Sequence, residues 1–281
     1  QRLERLLTRF GRPHELVRTE RPGHATEIAR DCVSRVVVAV GGDGTINEVA
    51  NALAGSGRTI GIIPTGSGND FIKSVGIPKR MESALELLRL GHERVIDAGV
   101  VRTGAWKNGS MEYAPARYFV NGVGAGFDAS VARRVGEIRF LRGTPLYLLA
   151  VLQTLGRYQS PEFSCRTDST EWRARKLLIA SGNGRCAGGG FYLTPEAEVD
   201  DGLLDVCVID DVSVLKILRL VPRVLAGKLV HDAQVNYQRT KELELSSAER
   251  FNVHADGEIV GREVHGVRLK MVASALRIVG P

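Results

Sequence analysis

Val36-Val37-Val38-Ala39-Val40-Gly41-Gly42-Asp43-Gly44-Thr45-Ile46-Asn47-Glu48-Val49 is a β-branched apolar run that breaks on glycines and resumes with helical spacing. A strand that ends in glycines and restarts as a helix gathers backbone N–H groups around one spot, backed by the positive end of the helix dipole. Phosphate suits such a spot. An Asp in the same loop repels phosphate unless a divalent cation stands between them, so the pairing points to metal-assisted phosphate chemistry. Thr45 with Glu48 three residues later also reads as a capping box and the glycines as a tight turn, so a plain helix start stays open. The chain has no GxxxxGK[ST] segment, and Gly42-Asp43-Gly44 reaches no third glycine at the dinucleotide-fold spacing. Those two nucleotide loops are excluded.

Outward from this loop, the first hundred residues alternate strand and helix. The pattern predicts helix over 1–9, 26–33, 46–53 and 81–90, a short strand over 16–19, and buried strands over 36–40 and 59–63. The second buried strand runs into Pro64-Thr65-Gly66-Ser67-Gly68 and then Asn69-Asp70, residue types that cap helices as readily as they approach a ligand. Short apolar strands alternating with helices predict a parallel sheet whose ligands sit at the carboxyl ends of the strands. Beyond about Val95, strand-like runs dominate, at 118–120, 176–180, 203–209, 242–245, 251–255, 267–271 and 276–279. Two helical stretches, 144–155 and 212–225, interrupt them. The expected fold is α/β + β. A Rossmann-like parallel α/β domain covers 1–96 with a returning strand at 273–281, and an antiparallel β-sandwich domain covers 97–272.

Over 281 residues, 43% hydrophobic and 25% charged content is ordinary for a folded chain. The net charge of +6 favours an anionic partner, while 6% aromatics argues against a stacking platform for nucleic acid. The four cysteines show no metal-ligand spacing and read as reduced thiols. No run reaches the roughly 18 apolar residues of a membrane span, and no signal-peptide pattern opens the chain. The expectation is a cytoplasmic protein whose native start lies ahead of Gln1.

Gly41-Gly42-Asp43-Gly44-Thr45-x-Asn47-Glu48-Val49 resembles the signature of the diacylglycerol kinase-like lipid kinases, the diacylglycerol/sphingosine kinase superfamily. NAD kinases share its first half. Pro64-Thr65-Gly66-Ser67-Gly68-Asn69-Asp70-Phe71 resembles the second loop of the lipid kinases, and Gly23-His24-Ala25 matches their pattern upstream. The resemblance extends through Asn121-Gly122-x-Gly124-x-Gly126-Phe127-Asp128 and the stretch from Gly227 to Tyr237. It departs in three places. The family's opening strand and its Asn-Pro-x-x-Gly loop precede the helix in which Gln1 falls, the link from Asp31 to Val36 is short, and Lys73 stands where Arg is usual.

The resemblance implies a bacterial-type lipid kinase that moves the γ-phosphoryl group of ATP to a lipid hydroxyl, with Mg²⁺ as cofactor. Diacylglycerol is the expected acceptor. Sphingoid bases, ceramide and phosphatidylglycerol are alternatives, and a soluble acceptor of the NAD kinase type is a more distant one. Gly41, Gly42, Gly44, Thr45, Glu48, Thr65, Gly66, Ser67, Asn69 and His24 would line the nucleotide. Asp70 would hold metal or metal-bound water, and Asp201 with the carbonyls of Glu198 and Leu203 would form a structural Mg²⁺ site. Asp256-Gly257 reads by itself as a hairpin tip. In the family an Asp at that place is proposed as general base, and the sphingosine branch assigns the role to the counterpart of Asp43. The partners implied are ATP and lipid at a membrane surface, with peripheral membrane association, no nucleic acid, and room for a homodimer. The 212–225 helix and the basic residues near 133–142 could face an anionic bilayer or simply be a solvated edge.

Overall fold

The computed structural model describes residues 7, 10, 11, 13–138, 140, 141 and 144–281. Most of the helix expected over 1–9 therefore lies outside the described residues. The first half contains α1 (His24–Asp31), β1 (Val36–Gly41), α2 (Asp43–Leu53), β2 (Thr59–Pro64), α3 (Asp70–Val75) and α4 (Met81–Leu90). β1 and β2 pair in parallel from Val36↔Thr59 to Gly41↔Pro64. Successive strand residues point to opposite faces. Ala39, Ile60 and Ile62 therefore pack with Ala29, Ile46, Val49, Leu53 and Phe71 on one face, while Ile63 packs with Leu85 and Leu88 on the other. Helices α3 and α4 stop at Gly76 and Gly91, both at φ near +72°, where glycine carries no Cβ penalty.

The second half contains β3 (Glu93–Lys107), β4 (Ser110–Tyr113), β5 (Arg117–Phe119), β6 (Gly122–Gly126), α5 (Phe127–Glu137), α6 (Thr144–Leu155), β7 (Glu162–Thr167) and β8 (Glu171–Gly182). These are followed by β9 (Leu204–Asp210), α7 (Val214–Leu225), β10 (Val235–Thr240), β11 (Glu242–Ala255) and β12 (Glu258–Val279). The strand order is β1-β2-β12-β11-β6-β8-β9-β10 among the described residues. β12 pairs antiparallel with β3 from Gly266↔Gly104 to Val279↔Glu93, and its end pairs in parallel with β2 at Arg277↔Thr59 and Ile278↔Ile60. One strand thus belongs to both halves. The β-rich half encloses Phe119, Phe163, Leu204, Val206, Leu245 and Val253, with Phe163 and Phe251 edge-to-face at 4.9 Å. On its outer side, Leu178, Ala180, Cys207 and Ile209 pack against α5, α6 and α7.

Three expectations need correction. Residues 16–19 form no strand; Leu16 and Val17 are exposed and, among the described residues, pair with no neighbour. A strand without a ladder has nothing to hold its backbone groups. The runs 242–245 and 251–255 are one strand, as are 267–271 and 276–279, because the ladder continues across irregular registers at Ser246/Phe251 and Val272/Leu276. Residues 127–137 form a helix that the strand-dominated reading passed over, although Phe127, Val131 and Val135 recur at helical spacing.

Candidate active site

Because β1 and β2 are adjacent and parallel, their glycine loops leave the sheet side by side. Thr65 N–H donates to the Gly41 carbonyl at 2.9 Å. A Cβ on Gly66 would lie 2.5 Å from the Cα of Gly42 and 2.8 Å from Asn69 Oδ1, so the loops touch backbone to backbone. The Asn69 side chain braces the second loop: Oδ1 accepts from Gly66 N–H at 3.1 Å and Nδ2 donates to the Gly66 carbonyl at 2.7 Å. Asn69 itself sits at φ 50°, in the left-handed region. Thr65 and Ser67 are exposed beside it. The shared rim of the two loops therefore offers the first-turn N–H groups of α2, bare glycine backbone and the hydroxyls of Thr65 and Ser67, an arrangement suited to a phosphate chain.

The capping box expected at Thr45 and Glu48 is absent. Helix α2 begins at Asp43 with Gly42 as its N-cap and no side-chain cap. Glu48 instead accepts from Gly23 N–H at 2.8 Å and Ala25 N–H at 2.9 Å, capping the neighbouring helix α1. His24 Nδ1 accepts from Glu20 N–H at 3.1 Å. Glu48 thus ties α1 to α2, both of its carboxylate oxygens being engaged, while His24 fixes the turn that leads into α1.

Three of the four expected carboxylates gather behind the loops. Asp43 Oδ1 accepts from Phe71 N–H at 3.1 Å, and Oδ2 faces Gly68, where a Cβ would lie 3.2 Å away. Burial pushes its carboxyl above the ordinary range; the Phe71 N–H opposes this, and the charges of Asp70 and Asp256 add to it. Asp70 accepts from Lys73 Nζ at 2.7 Å and from Gly189 N–H at 2.6 Å, with the Cys186 thiol at 3.6 Å. Its charge is already balanced by lysine. Asp256, in the left-handed region at φ 48°, accepts four bonds. They come from Asn47 Nδ2 at 2.7 Å and from the N–H groups of Val120, Asn121 and Gly122, each at 2.9 Å. Burial raises its carboxyl and these donors pull it back. A carboxylate has about four lone-pair directions. Those of Asp256 are taken, and they join α2 to the hairpin between β11 and β12.

Asp201 lies apart from this group, in the turn before β9. Its Oδ1 accepts from Leu203 N–H at 2.9 Å, and Gly202 N–H donates to Asp97 Oδ2 at 2.7 Å. Nearby Asp205 is fully buried, and its Oδ2 has no partner among the described residues. Burial is the main cause that pushes the Asp205 carboxyl up, and the charge of Asp201 adds to it. That orphaned oxygen and the nearby Asp201 carboxylate are hard oxygen donors of the kind a small divalent cation takes, while Asp205 Oδ1 is already held by Tyr237 at 2.8 Å and Arg239 at 3.2 Å. Among the described residues no three His, Cys, Asp or Glu side chains converge; the ion site that the family resemblance implies would take Asp201 with the carbonyls of Glu198 and Leu203.

Several residues joining this site carry no role in the sequence reading. Arg117 Nη2 donates to Asn47 Oδ1 at 2.8 Å and pairs with Glu258, whose Oε1 lies 3.4 Å from where a Cβ on Gly44 would be. Asn121 Nδ2 donates to the Cys186 carbonyl at 2.6 Å. Beyond Gly257 opens a narrow apolar slot of about 100 Å³, walled by α5, α6 and α7 through Val131, Val151, Ile217, Leu220 and Val224. Its polar side chains are Asp128, His254 and Tyr147. His254 Nε2 lies 3.3 Å from Asp128 Oδ2, and burial keeps Tyr147 a neutral phenol, pushed up to about 12. The spacing of Asn47 one turn past Asp43 was a signal for its role. No local pattern could have placed Arg117 or His254, and although Asp128 closes the quoted 121–128 motif, its contact with His254 comes from a distant strand.

Comparison with known proteins agrees with this geometry. Residues 1–101 match the model of the diacylglycerol kinase catalytic domain, and residues 121–280 match that of the YegS C-terminal NAD kinase beta sandwich-like domain. A diacylglycerol kinase of Mycobacterium tuberculosis is 33% identical over 224 residues, 79% of this chain and 70% of that protein. A Pseudomonas aeruginosa protein named "Probable lipid kinase YegS-like" is 35% identical over 274 residues, 91% and 81% of the two chains. The crystal structure of a Bacillus anthracis diacylglycerol kinase superposes with a TM-score of 0.70 at 20% identity, covering 98% of this chain and 88% of that one. That likeness shows the α/β plus β-sandwich fold.

Proposed function

The chain belongs to the diacylglycerol kinase family and is a lipid kinase; within that family we propose that it moves the γ-phosphoryl group of ATP to the hydroxyl of a diacylglycerol-class lipid. The observation that carries this reading is the slot: an apolar cavity whose wall reaches Gly257, next to Asp256, and Tyr147, on which the charges of Asp70 and Asp43 act. A neutral two-chain lipid can leave an acyl chain there and present its hydroxyl to the loops. The nucleotide phosphates would lie over Gly41–Thr45 and Thr65–Ser67.

We assign the base to Asp43 and a positioning role to Asp256. Asp256 has no lone pair to spare, whereas Asp43 turns Oδ2 toward Gly68 and is raised toward the range of a useful base. A resident cation held by Asp201 and the carbonyls of Glu198 and Leu203 would be structural. Mg²⁺ bound with the nucleotide would supply neutralisation of phosphate charge. The chain's own residues then align the γ-phosphoryl group with the lipid hydroxyl and accept its proton at Asp43 Oδ2.

The test is transfer of labelled γ-phosphate to diacylglycerol, ceramide, sphingoid bases and phosphatidylglycerol, with wild type, Asp43→Asn and Asp256→Asn. Asp43→Asn should melt no lower than wild type, keep ATP binding and lose about 10²–10⁴-fold in kcat. In the wild type a base must be ionised, so a raised Asp43 places the acid limb of kcat above the pH of an ordinary Asp. Asp256→Asn should lower the melting temperature as well as the rate. Turnover by Asp43→Asn near the wild-type level would overturn the base assignment.

A further inference from the structure

We infer that Tyr147, Asp128 and His254 form a polar station in the wall of the apolar slot that reads the acceptor lipid beside its hydroxyl, taking a neutral ester linkage through the Tyr147 phenol and turning anionic lipids away. This rests on the lipid-kinase reading and adds the residues that choose the acceptor. The rest of the slot wall is aliphatic, aromatic or glycine, so three polar side chains there are costly unless something meets them. Asp128 lies in the first turn of α5 and His254 near the end of β11; Oδ2 and Nε2 are 3.3 Å apart, and the side chains are 14% and 9% exposed. Both atoms fill the room of a missing side chain, because a Cβ on Gly124 of β6 would overlap them. A carboxylate only accepts, so the imidazole turns Nε2–H toward it. His254 Nδ1 is left buried with no partner among the described residues.

Tyr147 links this pair to the carboxylates behind the glycine loops. Burial, with the charges of Asp70, Asp43 and Asp128 adding to it, pushes the phenol up to about 12, so it keeps a proton to donate. Its hydroxyl has no hydrogen-bond partner among the described residues. The ring rests against Gly188, where a Cβ would lie 2.7 Å from Cε1, and the next residue, Gly189, donates its N–H to Asp70 Oδ2 at 2.6 Å. A lipid that lies in the slot and reaches Asp43 with its hydroxyl passes this phenol with the linkage next to that hydroxyl. In a diester the linkage carries a carbonyl, a good acceptor for the phenol proton, whereas a diether offers a poor one. A phosphate at the same place meets the charges of Asp128 and Asp43, and no lysine or arginine among the described residues lines the slot to offset them.

The experiment measures kcat/KM for phosphoryl transfer to a diacylglycerol, to the dialkylglycerol of the same chain length and to phosphatidylglycerol. Each lipid is presented in neutral detergent micelles to wild type, Tyr147→Phe and Asp128→Asn. Wild type should favour the diester over the diether about five- to tenfold, the worth of one hydrogen bond between uncharged groups, and should use phosphatidylglycerol less than either. Tyr147→Phe should melt with wild type, bind ATP as tightly and use diester and diether equally. Asp128→Asn should raise the use of phosphatidylglycerol relative to diacylglycerol about tenfold. Equal wild-type rates on diester and diether would overturn the inference, as would an ester preference that survives in Tyr147→Phe. An unmoved phosphatidylglycerol ratio in an Asp128→Asn that melts normally would overturn the charge filter. The wild-type ester-to-ether ratio needs no variant, so poor folding of either variant leaves the inference refutable. Equal ester and ether rates would leave the lipid-kinase reading standing, whereas transfer to none of the three lipids would overturn the substrate reading and this inference together.

Discussion

Asp232 shows how a single buried carboxylate can orient a whole helix. Its side chain is 3% exposed and lies against Lys216 Nζ at 3.0 Å and against Arg223, so it pins α7 from the far side of the slot. Burial alone would raise its carboxyl; the Lys216 hydrogen bond, the Gln234 N–H and the two cationic charges outweigh burial, and the net direction is down. A depressed carboxylate stabilises the fold above its unfolded pKa, and this contribution disappears as pH falls through the depressed value. Asp232→Asn should therefore cost about 2 kcal/mol at pH 7. Thermal melts should show the gap from wild type closing below about pH 4, the ordinary Asp range; a gap independent of pH would remove the ionic account. Asp43 behaves oppositely. Its raised carboxyl weakens the fold as pH climbs through its value, a cost consistent with the base role proposed for it.

Between elements, the decisive contact is loop on loop. Gly66 meets Gly42 with no space for a methyl group, so Gly66→Ala must separate the β1 and β2 loops. The variant should raise KM for ATP at least about tenfold, equivalent to about 1.4 kcal/mol, and lower stability by about 1–3 kcal/mol through overpacking. Calorimetric titration with a non-hydrolysable ATP analogue would read the first effect and denaturant melts the second. Unchanged affinity would mean that the loops do not share the nucleotide. These two loops were legible in the sequence because strand, glycine and helix signals are local and each loop is short. Glu48 was misread for the same reason: three-residue spacing to Thr45 is a local cue, and α1, the helix it caps, lies a full element away. Likewise Asp-Gly at 256–257 announced its hairpin, but the four donors that fill Asp256 come from α2 and from residues 120–122. Helix α5 was lost among strands because only Phe127, Val131 and Val135 carried its period.

At the scale of the whole molecule, the halves are sewn together by β3 and β12, each of which runs from the parallel sheet into the sandwich. Removing residues 272–281 should therefore strip hydrogen-exchange protection from β1 and β2 as well as from β3. Protection retained in 36–64 would show that the first half folds by itself. The bulge at Val272/Leu276 marks the crossing, and there Asp97 Oδ1 accepts from Ser274 N–H at 2.7 Å while its Oδ2 holds the Asp201 turn. This shared strand also sets the order of events during synthesis. The strand carrying the phosphate loop emerges from the ribosome early, but β2 lacks its neighbour at Arg277 and Ile278 until nearly all the described chain has been translated. Until then the nascent first half presents a raw apolar edge to chaperones and to its own kind, and the kinase cannot switch on before residues 277 and 278 have been made.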